Sequence, residues 1–441
     1  MMDHSAFDDS IPIYTPGVPG TLKSLVSKLA KQTETIDSYL RSLDSGRPSF
    51  DVLTDKLPDT AEYTVLRGDL ASTLDELKYL VDGPKLYLRS LLMTGNDLAA
   101  FQVAFEFKFF QIIPLNTGID VGTLAIKVGM DVDRATRVLR MLATHRVFLE
   151  SRPCHFSHTA ASALLHSDEE IRCAGHYMLD ECLRAATMAA ACIKDSPDES
   201  DGKHSPFHTF FGMPMFSFYE RNPMYAARFA KAMAGTTKLD RQTSGLRHDF
   251  PWEQLQGTVI DVGGGNGHVS MTLARAFPGL RFLVQDNSEL MLAQGKRLLE
   301  PSLHNRVSFM KHDFFTRQPQ LQDTAAYLIR QCTHNWSDAD LVTILRALVP
   351  GLESAEPRIP LLINDTVMTV PGSRPLVDER ALRQIDMLMF VVLGSKQRSV
   401  AEFKDVLKKA DERYEIEKVH SEGAMGLIEV RLRTLGVAPI S

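Results

Sequence analysis

Cysteine is scarce in this chain of 441 residues. There are five, Cys154, Cys173, Cys182, Cys192 and Cys332, an odd number with no C-x-x-C spacing. That argues against a disulfide framework and predicts reduced thiols in a cytoplasmic protein with no metal site. Long apolar runs are also missing. None approaches the roughly 18 to 20 residues that a membrane span needs, so no membrane association is expected. The opening "MMDHSAFDDSIPIYTPG" is acidic and lacks an apolar core, which predicts no secretory signal. Positive charge is not in excess: 49 Lys and Arg face 55 Asp and Glu, for a net charge of −6. A large nucleic-acid footprint needs a basic face, so none is expected. What is present is a globular composition, 44% hydrophobic and 24% charged, in a chain long enough for two or three domains.

Residues 1–85 carry two helical patterns, with Leu22, Leu25, Val26, Leu29, Ile36, Leu40 and Leu43 at helical spacing in the first. "YTVLRGDLASTLDELKYLV" forms the second, and "DSGRPSFDVLTDKLPDTAE" between them reads as a loop. Residues 86–192 change character. "DLAAFQVAFEFKFFQII" and "VGTLAIKVGM" read as helices, the latter ended by Gly129. "DVDRATRVLRMLATHRVFLE" reads as a helix capped by Asp131 or Asp133 that runs into a strand, with "HFSHT" as a return strand. Three helices and a two-stranded ribbon make a winged-helix pattern. Its third helix offers only Arg134, Arg137 and Arg140 on an acidic chain, which favours a packing and homodimerisation module over a DNA reader. His158, in the return strand, could reach a substrate cavity or simply bond the backbone. In a connecting segment, 193–256, a polar stretch precedes "PFHTFFGMPMFSFYERNP". Such a stripe is usually core, but it could wall an apolar pocket, with Phe211 and Met215 facing a small-molecule substrate.

From residue 257 to 441 strands alternate with helices: "GTVIDVG", "RFLVQD", "VSFMKHD", "AAYLIRQC" and "IPLLINDTV" are the strands. That predicts an α/β domain with a doubly wound, mostly parallel sheet behind a mostly helical N-terminal region. Within it, "VIDVGGGNGHVSMTLARAFPGLRFLVQD" is the most informative stretch. A strand ends at Asp261, a turn carries Gly263, Gly265 and Gly267, and a helix begins near His268. Glycines there bring backbone close to a ligand, and Asp286, at the end of the next strand, can bind both hydroxyls of a ribose. The spacing is G-x-G-x-G, with Asp261 just before the first glycine. A pyrophosphate would be repelled there and an amino-acid ammonium would not, which favours a cofactor with a zwitterionic tail over NAD.

These segments, together with "HDFF", "HNWSDAD", "LLINDTV" and "GSKQRS" in that order, resemble the S-adenosylmethionine-dependent O-methyltransferases of the winged-helix, natural-product type over most of residues 86–432. The resemblance implies a Rossmann-like class I methyltransferase domain, S-adenosyl-L-methionine over the glycine turn, and a homodimer. It also implies that Asp313 and Phe314 flank the adenine and that Arg330 contacts the cofactor. A solvated strand-end charge accounts for Arg330 equally well.

"CTHNWSDAD" then raises a choice for His334. Methyl transfer from a sulfonium needs an oxygen near its anionic form, and an imidazole is a suitable base at neutral pH. His334 follows a predicted strand at its C-terminal end, where ligands bind in open α/β sheets. The alternative is a capping loop, with Ser337 as N-cap and Trp336 as anchor, which does not exclude catalysis. The resemblance makes His334 the general base, oriented by Asp365 and by a second residue where the family usually has Glu and this chain has Gln397. Asn335 also stands where the family commonly has Asp. A neutral amide can orient a ring but cannot stabilise an imidazolium by charge. Relatives that keep the cofactor and run pericyclic reactions commonly change the histidine itself, so its presence favours methyl transfer. A non-catalytic cofactor-binding partner protein fits less well, because His334 and Asp365 are both present.

Overall fold

The protein is described by a computed structural model covering residues 20–43, 48–54, 56–239, 245–354 and 358–433. The acidic opening of the chain, and parts of the loop expected after Leu43, lie outside the described residues. Two compact units form: the described parts of Met1–Thr187, Phe216–Arg241 and Pro371–Arg380, and those of Met188–Met215, Gln242–Val370 and Ala381–Ser441. The segment 193–256 is therefore divided between the units. The boundary placed at residues 85 and 86 falls inside a helix, Ala61–Glu106, that kinks at Gly83. Pro84 follows the kink, where the missing N–H of a helix start is no loss.

In the first unit, helices Val121–Val128 and Val132–Thr144 are each capped by an aspartate, Asp120 and Asp131. The short strand β1 (Ile119–Asp120) and the ribbon β2 (Phe148–Arg152) and β3 (His155–His158) form an antiparallel sheet in the order β1-β3-β2. Phe109, Phe110, Leu139, Leu142, Phe148 and Phe156 fill its core. Arg140 is held by Glu150 at 2.9 and 3.0 Å, and Arg137 lies 3.9 Å from Asp133. Two of the three arginines that a DNA reading would use thus face acids.

In the second unit, β4 (Gly257–Val262), β5 (Leu280–Asp286), β6 (Val307–Lys311), β7 (Thr324–Arg330), β8 (Leu361–Met368), β9 (Arg398–Ser399), β10 (Tyr414–Ser421) and β11 (Gly423–Leu432) build one sheet. The order is β10-β11-β8-β7-β4-β5-β6, with β9 beside β8. The strands β4 to β9 pair in parallel, and the hairpin β10–β11 joins β8 antiparallel. Successive side chains alternate between faces. Ile260 and Val262 pack with helices Asp338–Glu353 and Val400–Ala410, while Val259 packs with Met271, Leu273 and Leu292 on the other side. All eight residues of β8 are buried, as a strand covered on both faces must be. Each fully buried Leu, Ile or Val contributes roughly 1.5 to 3 kcal/mol. The chain runs from β4 out to β5 and β6, then crosses back to β7 on the other side of β4. The crevice beyond the carboxyl ends of β4 and β7 is therefore the switch point where such sheets bind ligands. Among the described residues no helix is long and apolar enough to cross a membrane, and no group of acids, histidines and thiols is placed to hold a metal.

Candidate active site

At the end of β4, Gly263, Gly265 and Gly267 all take left-handed backbone, with φ of 70°, 59° and 74°. A side chain is strained at such angles. At Gly267 it would also meet Val284 at 2.9 Å, so the turn can sit against β5 only with glycine there. The turn is pinned by Gly264 N–H donating to the Gln285 carbonyl, 3.0 Å, and by Gly265 N–H donating to Asp286 Oδ2, 2.9 Å. Asp286 Oδ1 accepts from Ser288 N–H at 2.8 Å. Each carboxylate oxygen thus holds one backbone donor and keeps capacity for another, which suits a vicinal diol.

Asp261 sits under the turn instead of beside it. It is buried, accepts from Ser270 Oγ at 2.6 Å, and would lie 2.6 Å from a methyl placed on Gly264. Burial pushes its carboxyl up to about 6, against the pull of Ser270 and Arg330. Arg330 ends β7 and donates to Gln331 Oε1 at 2.9 Å, while its Nε is buried with no partner among the described residues. Burial lowers its guanidinium, and Asp261 and Asp365 act the other way. Phe314 closes the far side: its ring would meet a methyl on Gly263 at 3.2 Å and packs edge-on to Trp336 at 5.7 Å. Asp313 beside it accepts from Phe315 N–H at 3.0 Å. The structure therefore brings the glycine turn, Asp286, Phe314 and Arg330 to one crevice. The orphaned Arg330 Nε and the half-used Asp286 carboxylate are what a polar, ribose-bearing cofactor would satisfy.

His334 lies in a short turn, Thr333–Asn335, after β7, and Ser337 caps the helix that follows. Its Nδ1 is bonded to Asp365 Oδ1, and its backbone N–H points at Asp365 Oδ2, 3.3 Å away. Asp365 comes from β8 and is 1% exposed. Thr333 Oγ1 donates to Oδ2 at 2.6 Å and Thr366 N–H to Oδ1 at 2.9 Å. Burial works against the charged carboxylate, but His334, Thr333 and Thr366 outweigh it and hold Asp365 below the usual carboxylate range. An ionised acid at Nδ1 assigns the proton to that nitrogen and leaves the Nε2 lone pair free to accept another. Thr333 and Thr366, which complete the carboxylate's shell, were not singled out from the sequence. Their adjacency to His334 and Asp365 was the available signal.

Gln397 is buried, but no hydrogen bond joins its amide to His334 among the described residues. Its backbone N–H donates to Asp386 Oδ1 at 2.8 Å, and its side-chain oxygen is buried without a partner. His158 belongs to the core of the first unit. Nε2 bonds the Ile113 carbonyl at 3.0 Å, and the ring packs on Phe148 and His166. Burial lowers its imidazole. Phe211 stacks on Phe207 at 4.4 Å, and Met215 is buried.

Comparison with known proteins agrees with this arrangement. Residues 189–411 match the O-methyltransferase domain family model. The chain is 58% identical over 412 residues to O-methyltransferase sol2 of Alternaria solani, covering 93% of this chain and 95% of that one. It is 30% identical to O-methyltransferase aurJ of Gibberella zeae over 94% and 98% of the two chains. Among solved structures, OxaC in complex with sinefungin and meleagrin superposes with a TM-score of 0.74 at 19% identity, over 93% of this chain and 99% of that one. LepI in complex with SAM gives 0.69 at 18%, over 93% and 100%. At such identities the structural likeness speaks for the fold alone. The matched domain and the closely similar fungal sequence establish that this chain belongs to the O-methyltransferase family and is an enzyme that methylates oxygen.

Proposed function

We propose that the protein uses S-adenosyl-L-methionine to methylate a hydroxyl of an aromatic or polyketide-type small molecule, with His334 as general base. The observation that carries this is the His334–Asp365 pair at the switch point, beside a glycine turn pinned by Asp286. When bound, the cofactor supplies an electrophilic methyl group on a sulfonium. The residues that would hold it are the backbone of Gly263–Gly267, Asp286 at the ribose, Phe314 and Asp313 at the adenine, and Arg330 toward the polar tail. Asp261 contributes by supporting the turn from below. His334 Nε2 takes the proton from the substrate hydroxyl as its oxygen becomes nucleophilic, and Asp365 stabilises the imidazolium that forms. Phe211 and Met215 are assigned to the apolar substrate wall. Gln397 is kept as a neutral residue of the catalytic side, and His158, whose ring bonds the Ile113 carbonyl inside the first unit, is assigned a structural role.

A cytoplasmic homodimer is part of the same reading. All five thiols are free, as suits a reducing compartment. Leu88, Leu91 and Leu92 lie exposed on one side of Ala61–Glu106, and Leu86 and Met93 lie exposed on the other, apolar surface that a second copy would cover. The four regions 1–85, 86–192, 193–256 and 257–441 are proposed as helical extension, winged-helix dimerisation module, pocket wall and cofactor domain.

Mass analysis of reactions with S-adenosyl-L-methionine and a panel of phenols tests the reading. Gain of one methyl group supports it. An isomer of unchanged mass, formed equally with a non-methylating cofactor analogue, would move the protein to pericyclic chemistry.

A further inference from the structure

The turn that carries His334 is also gripped from its carbonyl side. Arg398 Nη1 donates to the Thr333 carbonyl at 2.9 Å, and Nη2 donates to the Trp336 carbonyl at 2.8 Å. Ser395 Oγ donates to the carbonyl of His334 itself at 2.5 Å. Arg398 Nε reaches Asp338 Oδ1 at 2.9 Å, and Nη2 lies 2.8 Å from the same oxygen. Asp338 opens the helix after the turn and is also met by Lys396 at 3.2 Å.

The Arg398 side chain is wholly buried. A guanidinium so far from water is costly unless each face of its fork meets an acceptor in fixed geometry. Here two of the acceptors are the backbone carbonyls that bracket His334. The charge is spent on holding a main-chain turn. Asp365 fixes the ring and the N–H of His334, and Arg398 and Ser395 fix the peptides on its other side. A base on a short turn needs such restraint, since an error of about 1 Å in its placement can cost on the order of 10² in rate.

We infer that Arg398 is a positioning residue for oxygen methylation: through the carbonyls of Thr333 and Trp336 it sets the His334 imidazole against the acceptor hydroxyl. The inference rests on His334 being the base. It also makes the "GSKQRS" segment act on the reaction through the backbone of the His334 turn, and not through the amide of Gln397. Lysine would keep the charge, but a single ammonium lacks the planar fork that reaches two carbonyls and Asp338 together.

A double-mutant cycle on the full chain tests this, with kcat and KM measured for wild type, Arg398→Lys, His334→Ala and the double variant. Arg398→Lys is expected to lower kcat about ten- to hundredfold while KM for substrate and cofactor stays within about threefold. In the His334→Ala background it is expected to cause no further loss, because its effect passes through the imidazole. Unchanged kcat in Arg398→Lys, or the same loss in both backgrounds, would overturn the inference and leave the base reading intact. Full turnover in His334→Ala alone would remove both. Should Arg398→Lys not fold, Ser395→Ala carries the same cycle, with a smaller loss of the same kind.

Discussion

The carboxylate of Asp365 holds His334 at two atoms, one oxygen at ring Nδ1 and the other 3.3 Å from its backbone nitrogen. A single buried acid on β8 therefore orients both the side chain and the peptide of the residue after β7. Because β7 and β8 are paired in parallel, the sheet itself sets this relationship.

Asp365→Asn is expected to lower turnover by roughly 10² to 10⁴, since a neutral amide neither fixes the Nδ1 proton nor stabilises the imidazolium. The folded-state value of Asp365 is depressed, so its contribution to stability is present above the ordinary carboxylate value, near pH 4, and is lost as pH falls through the folded value. Acid unfolding followed by circular dichroism should show that loss in wild type and lack this component in the Asn variant. Equal acid profiles would speak against the ionised pair.

Asp286→Ala is expected to weaken cofactor binding by about 2 to 4 kcal/mol. It removes the acceptor for the diol and also frees the Gly265 N–H that pins the turn. Titration calorimetry with S-adenosyl-L-methionine measures it. Unchanged affinity would take the ribose role from Asp286.

Glu181 gives a pH prediction in the first unit. It is fully buried, shares Arg228 with Asp180 at 2.6 and 2.5 Å, and keeps one oxygen without a partner among the described residues. Burial raises its carboxyl from 4.5 to about 7, against the pull of Arg228. The folded chain then binds more protons than the unfolded one between these values. Stability from this group is therefore full below pH 4.5 and declines as pH rises toward 7. Glu181→Gln should flatten that decline in thermal melts between pH 5 and pH 8. A slope identical to wild type would contradict it.

Much of the second unit was legible because its signals are local. Strands of β-branched residues, a glycine turn between two acids and a capping serine each report their own neighbourhood. The hairpin β10–β11 was not, since "YEIEKVHS" mixes charge into a half-exposed strand and blurs the two-residue period. The long helix was obscured by Gly83 and Pro84, which usually end a pattern and here mark a kink inside one. In the site, His334, Asp286 and Asp365 were readable from motif and position. Arg398 was not, because its meaning lies in carbonyls of a turn distant in sequence, which no spacing records. The support for His334 expected from the Gln397 amide does not appear as a bond among the described residues; the backbone N–H of Gln397 is what the fold engages, through Asp386.

Replacing Leu91 and Leu92 with glutamate is expected to shift the protein from dimer to monomer in sedimentation velocity at micromolar concentration, because both side chains lie exposed on the apolar face of the long helix. Wild type that sediments strictly as a monomer would remove the dimer reading.

His334→Ala tests the central claim most directly, with turnover followed by product mass and cofactor affinity by calorimetry. The account predicts a loss of roughly 10² to 10⁴ in methyl transfer with cofactor affinity unchanged. Methyl transfer at the wild-type rate in that variant would contradict it.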